Sequence, residues 1–459
     1  MSPSSSSGPR LRRRRFLLAV GAAATAGAGC VSGDQNGDGS TPSPEPEPVD
    51  SELDLSVEHD IESWDRYDPG WEPPRTSPLD AELGTETVIE NLEVGWDIEF
   101  AANGDLFISE RVGRISRYAS GDLEAVVSPE DVIDHAASID DPEENDWWAG
   151  GSEGGLLGIA LHPNYPDVPV LYAFYTYEAG PEEYRNRLVF YDLDTDNEET
   201  VVIDDIPGHE VIHNGARLAF GPRNYLWVTT GDANVEDLPQ DTERLGGKVL
   251  RLNPDGTAPD ETPGLGDPRV YSYGHRNPQA VTWLPDGTPL VSEHGPGARD
   301  EVQLLEAGGN YGWPTVRGGP DDEEWGSYPD HDDVVAPLVN TGAGTTWAPT
   351  GGVFYTGEAV PALRNRFVSG GLISQRLNVV SIYDDEPPDI GGTRYTDDWL
   401  HPTYDAVAHP LFEDELGRIR HVEQAPDGAL YAITSNRDGR AEGSFPTPED
   451  DRLVRIVQA

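Results

Sequence analysis

One pattern recurs six times along this chain and limits its possible folds more than any other feature of the sequence. Each copy is a run rich in β-branched, aromatic and aliphatic residues, then a turn with Pro, Asn, Asp or Gly, then a second run that ends in small polar residues. These are the signals of two strands joined by a turn. The copies occupy residues 96–109, 158–175, 217–230, 280–292, 352–370 and 421–434.

The spacing of the copies predicts how they pack. They follow one another at intervals of roughly sixty to seventy residues, enough for a four-stranded sheet with its loops, and no convincing amphipathic helix intervenes. Second pairs of strands show at 114–118, 248–253 and 453–457. Such a unit cannot bury both faces alone, so we expect radial stacking. The prediction is an all-β fold, a six-bladed β-propeller of four-stranded antiparallel sheets around a central channel, formed by residues 56–459 as one domain.

Two questions about this fold stay open. A pair of β-sandwiches is the competing architecture, although regular recurrence without a break in composition favours one closed ring. Closure of a ring requires an early strand to join the last blade, and we expect the segment near Val88 to pair there.

The charge of the chain argues against several classes of partner. Asp and Glu number 84 against 31 Lys and Arg, the formal charge is −53, and Lys248 is the only lysine. An acidic, lysine-poor surface with carboxylates spread along the whole chain indicates adaptation to high salt, where self-repulsion is screened. The alternative is acidity that serves a cationic ligand. Either way, the surface disfavours nucleic acids and anionic membranes as partners.

The first 55 residues have the composition of targeting and tether sequence. Residues 1–30 contain four arginines from Arg12 onwards, then a short run of small apolar residues that ends at Cys30, as in a signal peptide for export of a folded protein by the Tat route. Cys30 is the only cysteine, and its position resembles a lipid-attachment site, with Gly27 where such lipoboxes usually have Leu. Residues 31–55, acidic and rich in Pro and Ser, predict a disordered tether. We therefore expect an exported protein on the extracellular face of the membrane, anchored by a lipid on Cys30.

The third copy of the repeat carries a histidine and a carboxylate at the open end of its hairpin. One strand follows His213, the other precedes Asp232, and a turn of Gly, Pro and Asn residues joins them. The chain thus returns to the edge from which it started, so we expect His213 and Asp232 side by side, as a general base and its orienting carboxylate must be. The structural alternative is that His213 caps a loop and Asp232 closes a turn.

A zinc-peptidase pattern overlaps this histidine. His209, Glu210 and His213 match HExxH, a motif whose histidines must lie one helical turn apart. Pro207 before the motif, two β-branched residues inside it and Gly215 after it all disfavour a helix. The zinc interpretation is therefore the less favoured one.

Further charged residues are expected on the same rim of the channel. Arg276 offers a fixed, planar cation suited to negative charge on a quinone or alkoxide oxygen. Arg418 and Arg420 alternate along an extended segment and project the same way, which suits a ligand with several carboxylates. The alternative is that this pair only balances nearby acids.

Oxygen-bearing groups suggest two places for calcium. The carbonyls of Gly295 and Pro296 lie in a loop whose backbone is not committed to a sheet, and glycine permits unusual dihedrals. Glu301, Tyr311 and Asp321 cluster around the stretch EAGGNYGWP, and carboxylates with carbonyl oxygens suit Ca²⁺. In so acidic a chain, a cluster of acidic residues is weak evidence on its own.

Several stretches together resemble the soluble quinoprotein aldose dehydrogenases, also called glucose/sorbosone dehydrogenases. With its acidic composition, the chain resembles a member of this family from a halophilic archaeon. The resemblance covers most of the chain from about residue 94 to 457. In chain order the matching stretches are GGLLGIALHPNY (154–165), HNGARLAFGP (213–222), TTGD (229–232), LGGKVLRLNPDG (245–256), YGHRNPQ (273–279), SEHGPGARDEV (292–302), GGNYGWP (308–314) and RIRHVEQAPDG (418–428). Several such stretches in the right order are far more specific than any one.

This resemblance implies a six-bladed propeller that oxidises aldose sugars with pyrroloquinoline quinone (PQQ) and calcium. His213 would be the general base for the anomeric hydroxyl, hydride would pass from the anomeric carbon to the quinone, and Asp232 would orient His213. Arg276 would neutralise charge on the cofactor oxygen. Cofactor-binding positions would be Glu153, Arg276, Asn277, Trp347, Arg418 and Arg420. Calcium positions would be the carbonyls of Gly295 and Pro296 for the catalytic ion, and Glu301, Tyr311 and Asp321 for a structural ion.

The sequence departs from that family at two cofactor positions. Glu153 stands where glucose-oxidising relatives have a Gln that contacts the cofactor, and Leu372 or Ile373 stands where those relatives supply a lysine. Trp347 is expected either to stack on the flat cofactor or to be a buried structural residue.

Three functions remain in competition, because a propeller alone does not decide among them. The first is a PQQ- and calcium-dependent aldose dehydrogenase with an electron acceptor that the sequence does not identify. The second is a calcium-dependent lactonase-like hydrolase, in which His213 and Asp232 would activate water. The third is a propeller that only binds sugars or a partner protein. Three arginines at one rim favour the first, since a hydrolase of neutral lactones has little use for them.

Overall fold

The computed structural model describes residues 46–133, 152–181, 183–195 and 197–459. Within these residues the regular structure consists of β-strands and short 3₁₀ turns, without an α-helix. None of the helical turns described there is long and apolar enough to cross a membrane. The predicted signal peptide, residues 1–30, and most of the predicted tether lie outside the described residues.

The strands are named in chain order. They are β1 (Leu83–Ile89), β2 (Gly95–Phe100), β3 (Leu106–Glu110), β4 (Arg114–Ala119), β5 (Asp122–Val127), β6 (Leu156–Leu161), β7 (Val170–Gly180), β8 (Glu183–Asp192), β9 (Glu199–Pro207), β10 (Gly215–Phe220), β11 (Leu226–Thr230), β12 (Lys248–Leu252), β13 (Val270–Tyr273), β14 (Pro278–Trp283), β15 (Pro289–Glu293), β16 (Glu301–Leu304), β17 (Val316–Gly318), β18 (Gly326–Ser327), β19 (Val339–Asn340), β20 (Pro349–Tyr355), β21 (Arg366–Gly371), β22 (Leu377–Tyr383), β23 (Thr393–Tyr395), β24 (Asp405–Leu411), β25 (Ile419–Gln424), β26 (Leu430–Thr434) and β27 (Leu453–Gln458). The 3₁₀ turns are Ile61–Ser63, Pro78–Asp80, Pro222–Asn224, Leu238–Gln240, Tyr328–Asp330 and Pro361–Leu363.

These strands form six antiparallel sheets, which we call blades one to six. Their strand orders are β2-β3-β4-β5, β6-β7-β8-β9, β10-β11-β12-β13, β14-β15-β16-β19, β20-β21-β22-β24-β23 and β25-β26-β27-β1. The six predicted hairpins are the first two strands of the six blades, so the sequence prediction is confirmed. Blade five has one strand more than the predicted four, and β17 with β18 forms a small parallel pair outside the blades.

The blades close into one ring, which confirms the propeller over the pair of sandwiches. The first strands of neighbouring blades contact one another in cyclic order, and β25 of blade six contacts β2 of blade one. The predicted closure is also present, since β1 pairs with β27 from Leu83 opposite Gln458 to Ile89 opposite Leu453. The ring brings the starts of all six first strands to one rim of the central channel.

The hydrophobic core lies between the blades because the inner strands bury both of their faces. One cluster packs Leu157 of β6 against Leu218 of β10 and Val228 of β11. Polar side chains on the inner strands are buried as well: Arg217 of β10 forms an ion pair with Asp97 of β2. Hydrophobic side chains thus join neighbouring blades, and paired charges line part of the channel.

The folded body begins before residue 56. Residues 46–55, which the sequence assigns to the tether, run along blade three, where the Val49 amide donates to the Asp255 carbonyl at 3.0 Å. Leu55 is buried, and Val49 and Leu53 pack against the same hydrophobic cluster. Apolar residues in this acidic segment therefore extend the packed unit beyond the predicted boundary.

Candidate active site

His213 and Asp232 lie next to each other at the open end of the first hairpin of blade three. Gly215 of β10 pairs with Thr230 of β11, so the residues just outside these strands meet. The His213 Nδ1 atom is 2.7 Å from the Asp232 Oδ1 atom, and both side chains are buried. The predicted juxtaposition is therefore present.

The backbone around this pair is tightly folded. His213 has a φ of +60°, in the left-handed region that costs a non-glycine residue free energy. A Cβ atom at Gly231 would lie 1.9 Å from the His213 carbonyl oxygen, so only glycine fits there. The Ala233 amide also donates to that carbonyl at 3.2 Å. These contacts fix the position of the histidine before any ligand is considered.

Asp232 is held by more than the histidine. Its Oδ2 atom accepts a hydrogen bond from the Trp313 indole at 2.8 Å, and its Oδ1 atom also accepts from the Asn234 amide at 2.7 Å. Because a carboxylate only accepts hydrogen bonds, it selects the tautomer of His213 that carries its proton on Nδ1. The Nε2 atom of His213 is then left as an acceptor for a substrate proton.

The loop that follows Asp232 is tied down by the single lysine. Lys248 is fully buried, and its Nζ atom donates to the carbonyls of Leu238 at 2.7 Å, Gly246 at 2.6 Å and Pro239 at 3.2 Å. All three ammonium protons therefore have acceptors, and these hydrogen bonds hold the loop beside the site in place.

The zinc-peptidase geometry is not formed. Residues 208–214 are bends and loop, and the His209 Nδ1 atom accepts a hydrogen bond from the Val211 amide. Across the described part of the chain, no group of three or more His, Cys, Asp or Glu side chains is arranged to hold a metal ion. Because residues 208–214 are not helical, the predicted absence of a helix is confirmed.

Arg276 and Asn277 contact the backbone of Asp232 and of Gly215, beside the His213–Asp232 pair. The Asp232 amide donates to the Arg276 carbonyl at 2.8 Å, and the Gly215 amide donates to the Asn277 Oδ1 atom at 3.0 Å. The Arg276 guanidinium lies over the Trp313 ring, 5.4 Å from its centroid, and burial lowers its pKa. The Arg276 Nε and Asn277 Nδ2 atoms are buried, with no hydrogen-bond partner among the described residues.

The two arginines of blade six differ in their surroundings. Arg418 is bound through Nε and Nη2 to Asp438, at 2.8 and 2.6 Å, and donates to the Leu372 carbonyl at 3.1 Å. Arg420 lies over the Trp96 ring at 4.8 Å, and its buried Nε atom has no acceptor among the described residues. Burial lowers the pKa of Arg420 to about 9. Arg418 thus has a carboxylate partner, whereas Arg420 has no ion pair among the described residues.

Glu153 precedes β6 and reaches the same rim. Its Oε2 atom accepts from the His213 amide at 3.2 Å, and its Oε1 atom accepts from Arg440 at 2.8 Å. Burial alone would raise the pKa of Glu153, but nearby cations, Arg440 first, hold it at about 2. Sequence reasoning missed Arg440 because its contact with Glu153 spans 287 positions of sequence.

The loop of Gly295 and Pro296 leaves β15 on this rim. The Gly295 amide donates to Asp300 Oδ1 at 2.9 Å, and the Pro296 carbonyl accepts from Arg299 at 3.3 Å. Asp300 also accepts from the Trp347 amide at 2.6 Å. The two carbonyls thus lie in a loop outside the sheet, as the sequence predicts.

The three side chains predicted for a second calcium site have different surroundings, and the site stays a prediction. Glu301 is buried and accepts hydrogen bonds from Gln303, Arg317, Tyr328 and Asn340. The Tyr311 hydroxyl donates to the Leu304 carbonyl at 2.8 Å, while Asp321 is exposed. Protein donors thus surround the Glu301 carboxylate.

Trp347 has the surroundings of a buried structural residue, one of the two alternatives that the sequence left open, and stacking on a cofactor stays a prediction. Its indole is buried in a hydrophobic cluster that spans blades four and five. The Tyr395 ring meets it edge-on, with centroids 6.3 Å apart. Packing of this kind accounts for the residue without a cofactor.

The rim around His213 therefore offers a defined set of groups to a ligand. Buried donors without acceptors are costly unless a bound molecule or water satisfies them. Arg276 Nε, Asn277 Nδ2 and Arg420 Nε are such donors, and two of them are cationic. They fit a ligand that carries several oxygen acceptors and negative charge.

Fold and site together define a propeller with a histidine–carboxylate pair and cations at the mouth of its channel. Comparisons with known proteins support the fold and identify the family. The model of the glucose/sorbosone dehydrogenase family matches residues 92–443. An aldose sugar dehydrogenase of Escherichia coli is 26% identical over 80% of this chain and 93% of its own length. A quinoprotein glucose dehydrogenase B of Acinetobacter calcoaceticus is 30% identical over 52% of this chain and 53% of its own.

Solved structures give the same result. The PQQ-bound form of an aldose sugar dehydrogenase from Streptomyces coelicolor is 28% identical, with a TM-score of 0.62 over 84% of this chain and 100% of that one. A proposed oxidoreductase (glucose dehydrogenase) from Thermus thermophilus is 34% identical, with a TM-score of 0.64 over 82% of this chain and 100% of that one. This protein belongs to the glucose/sorbosone dehydrogenase family, which is a family of oxidoreductases.

Proposed function

We propose that this protein is a PQQ- and calcium-dependent aldose dehydrogenase that oxidises sugars at the anomeric carbon to lactones. The observation that carries the proposal is the 2.7 Å contact of His213 with Asp232 beside buried donors that lack acceptors. The family and the PQQ-bound relative support the cofactor. The aldose is the small-molecule substrate, and the electron acceptor is a further partner whose chemistry is open.

His213 supplies the base. With its Nδ1 proton directed at Asp232, the Nε2 atom accepts the proton of the anomeric hydroxyl, and the carboxylate stabilises the imidazolium that results. Trp313 keeps Asp232 in place through its indole hydrogen bond. Proton removal in this way leaves the anomeric carbon ready to lose hydride.

The residues at the rim fit the cofactor. PQQ, when bound, supplies the two-electron hydride acceptor. Arg276 would stabilise negative charge on its quinone oxygens, and Arg420 with Asn277 would hold its carboxylates. Arg418 would contribute less, because Asp438 already binds its guanidinium.

Calcium would be held by the carbonyls of Gly295 and Pro296. Carbonyl oxygens are ordinary ligands of this ion, and the two lie in a loop outside the sheet. Arg299 donates to the Pro296 carbonyl at 3.3 Å, so a bound ion would replace that long hydrogen bond. The ion would then act as a Lewis acid beside the arginines.

The N-terminal sequence supports a place of action outside the cell. Export by the Tat route and attachment through a lipid on Cys30 would leave the enzyme on the extracellular face of the membrane. There it would act on aldoses that reach the cell surface. Replacement of Cys30 by Ser should release the protein into the medium, whereas continued membrane association would contradict the anchor.

The test of the function is titration of the purified apoprotein with PQQ in molar salt and Ca²⁺, followed by addition of aldoses. We expect saturable binding in the cofactor absorbance and its bleaching by sugars, with chelation of Ca²⁺ abolishing the bleaching. Absence of saturable binding would contradict the proposal and direct attention to lactone hydrolysis or sugar binding.

A further inference from the structure

Glu153 and Arg440 form a bridge across the mouth of the channel that the catalytic steps above do not use. We propose that they are positioning residues, which hold the backbone of His213 to blade six and set the charge beside its imidazole. The proposal rests on the proposed function, in that His213 is the base whose protonation the pair controls. Glu153 therefore acts on the protein and not as a ligand of the cofactor.

Both carboxylate oxygens of Glu153 accept hydrogen bonds from the protein. Its Oε2 atom accepts from the His213 amide at 3.2 Å, and its Oε1 atom accepts from Arg440 Nη1 at 2.8 Å. The first contact stabilises a histidine whose φ of +60° is unfavourable. One carboxylate thus holds both the base and a residue of the opposite blade.

The bridge continues beyond Arg440. The Arg440 amide donates to Asp438 Oδ1 at 3.0 Å, and Asp438 Oδ2 binds Arg418 at 2.6 Å. Arg418 in turn donates to the Leu372 carbonyl of blade five at 3.1 Å. A single chain of polar contacts therefore joins His213 in blade three to blades six and five.

The electrostatic effect follows from the charges around the histidine. The groups that surround His213 and Glu153 are Asp232, Arg276, His294, Arg420 and Arg440. Glu153 is ionised, since cations led by Arg440 offset its burial and hold its pKa at about 2. Its negative charge interacts with His213, and Arg440 places a positive charge on the other side of the same carboxylate.

A purely structural ion pair is the alternative, and it predicts different results. The side chains of Arg440 and Glu153 are 38% and 21% exposed, and pairs so exposed add only about 0–1 kcal/mol to stability. Loss of either partner would then lower stability by a similar small amount and leave the titration of His213 unmoved.

The experiment measures the titration of His213 by NMR in the apoprotein, with histidine-selective labelling and His213→Ala for assignment. We compare wild type, Glu153→Gln, Arg440→Gln and the double variant in molar salt. Glu153→Gln keeps an acceptor for the His213 amide but removes the negative charge, so we expect the titration midpoint to fall by about 0.5–1 pH unit. Arg440→Gln should raise the midpoint, and the double variant should return it towards wild type.

Opposite signs for the two single variants support the positioning role, whereas shifts of the same sign, or none, overturn it. Arg364→Gln, which breaks an exposed pair with Glu358, is the matched control and should leave the midpoint unchanged. In the PQQ-loaded enzyme, the acidic limb of kcat against pH should move with the midpoint. Shifts of the midpoint in the apoprotein without turnover of any aldose would contradict the proposed function and support this inference. Turnover of aldoses with unchanged midpoints would support the proposed function and contradict this inference.

Discussion

Two clusters of carboxylates in this propeller differ in how their charges are paired. The first, at the rim, contains Asp232 and Glu153 around His213. The second, which we call the structural cluster, consists of Glu293, Glu301 and Arg317. Arg317 is fully buried and bound to both glutamates of the structural cluster, to Glu293 at 2.7 Å.

The difference lies in how completely each cluster is satisfied by the protein itself. Glu301 accepts from four protein donors, and Glu293 accepts from the Arg276 and Asn277 amides and from His275 as well as from Arg317. At the rim, by contrast, Arg276 and Arg420 form no ion pair with a carboxylate among the described residues, although a buried Nε atom without an acceptor occurs in Arg317 as well as in these two. Acidic composition therefore does not mark a site, whereas buried cations without a carboxylate partner beside a histidine–carboxylate pair do.

Replacement of the base should have the largest effect. His213→Ala is expected to lower kcat by about 10³-fold, since general base catalysis contributes on this order, while PQQ still binds. Steady-state kinetics and cofactor titration measure both. His209→Ala, in the same loop, is the matched control and should keep near-normal turnover; equal losses in both variants would argue against His213 as the base.

In the structural cluster, loss of the central cation should act on stability instead. Arg317→Met leaves two buried carboxylates without their partner and should lower the free energy of unfolding by about 3–5 kcal/mol. Denaturant unfolding provides the measurement. Arg117→Met, which removes a half-exposed pair with Asp105, should cost about 0–1 kcal/mol. Similar costs for both variants would contradict the distinction.

The structural cluster should also make the fold sensitive to acid. Burial alone would raise the pKa of Glu293, but Arg317 and His275 hold it at about 2, below the ordinary 4.5. A folded-state pKa that is depressed stabilises the fold above pH 4.5, and this stabilisation is lost as the pH falls towards 2. Glu293→Gln should therefore be less stable than wild type by about 3 kcal/mol at pH 6, with the difference narrowing at pH 3.5. A difference that does not change with pH would refute the assignment.

The two arginines of blade six allow the smallest and sharpest test. Arg420→Met removes an unsatisfied cation and should weaken PQQ binding about tenfold, or about 1.4 kcal/mol, with little change in stability. Arg418→Met leaves Asp438 buried without its partner and should mainly lower the melting temperature. Titration and thermal unfolding of both variants separate the effects, and an exchange of the two outcomes would reverse the roles given to these residues.

Much of the fold and the centre of the site could be predicted from the sequence because the relevant signals are local. Runs of β-branched, aromatic and aliphatic residues, with turn residues between them, mark the six hairpins, and a hairpin necessarily returns His213 to Asp232. The closing strand near Val88 follows from the same repeat. These features depend on residues close in sequence, or on the regular recurrence of one unit.

Tertiary structure alone decided which charged groups serve the fold and which face a ligand. Glu301 belongs to the structural cluster because Arg317 and Asn340 come to it from two other strands, β17 and β19. Glu153 meets Arg440 only because the ring brings loops of blades two and six to the same rim. Trp313 reaches Asp232 across 81 positions of sequence. The sequence by itself determined the blades and the histidine–carboxylate pair, since local patterns encode them. Residues distant in sequence decided which buried charges have hydrogen-bond partners, because a hydrogen bond requires that the closed ring place the two groups within about 3 Å of each other.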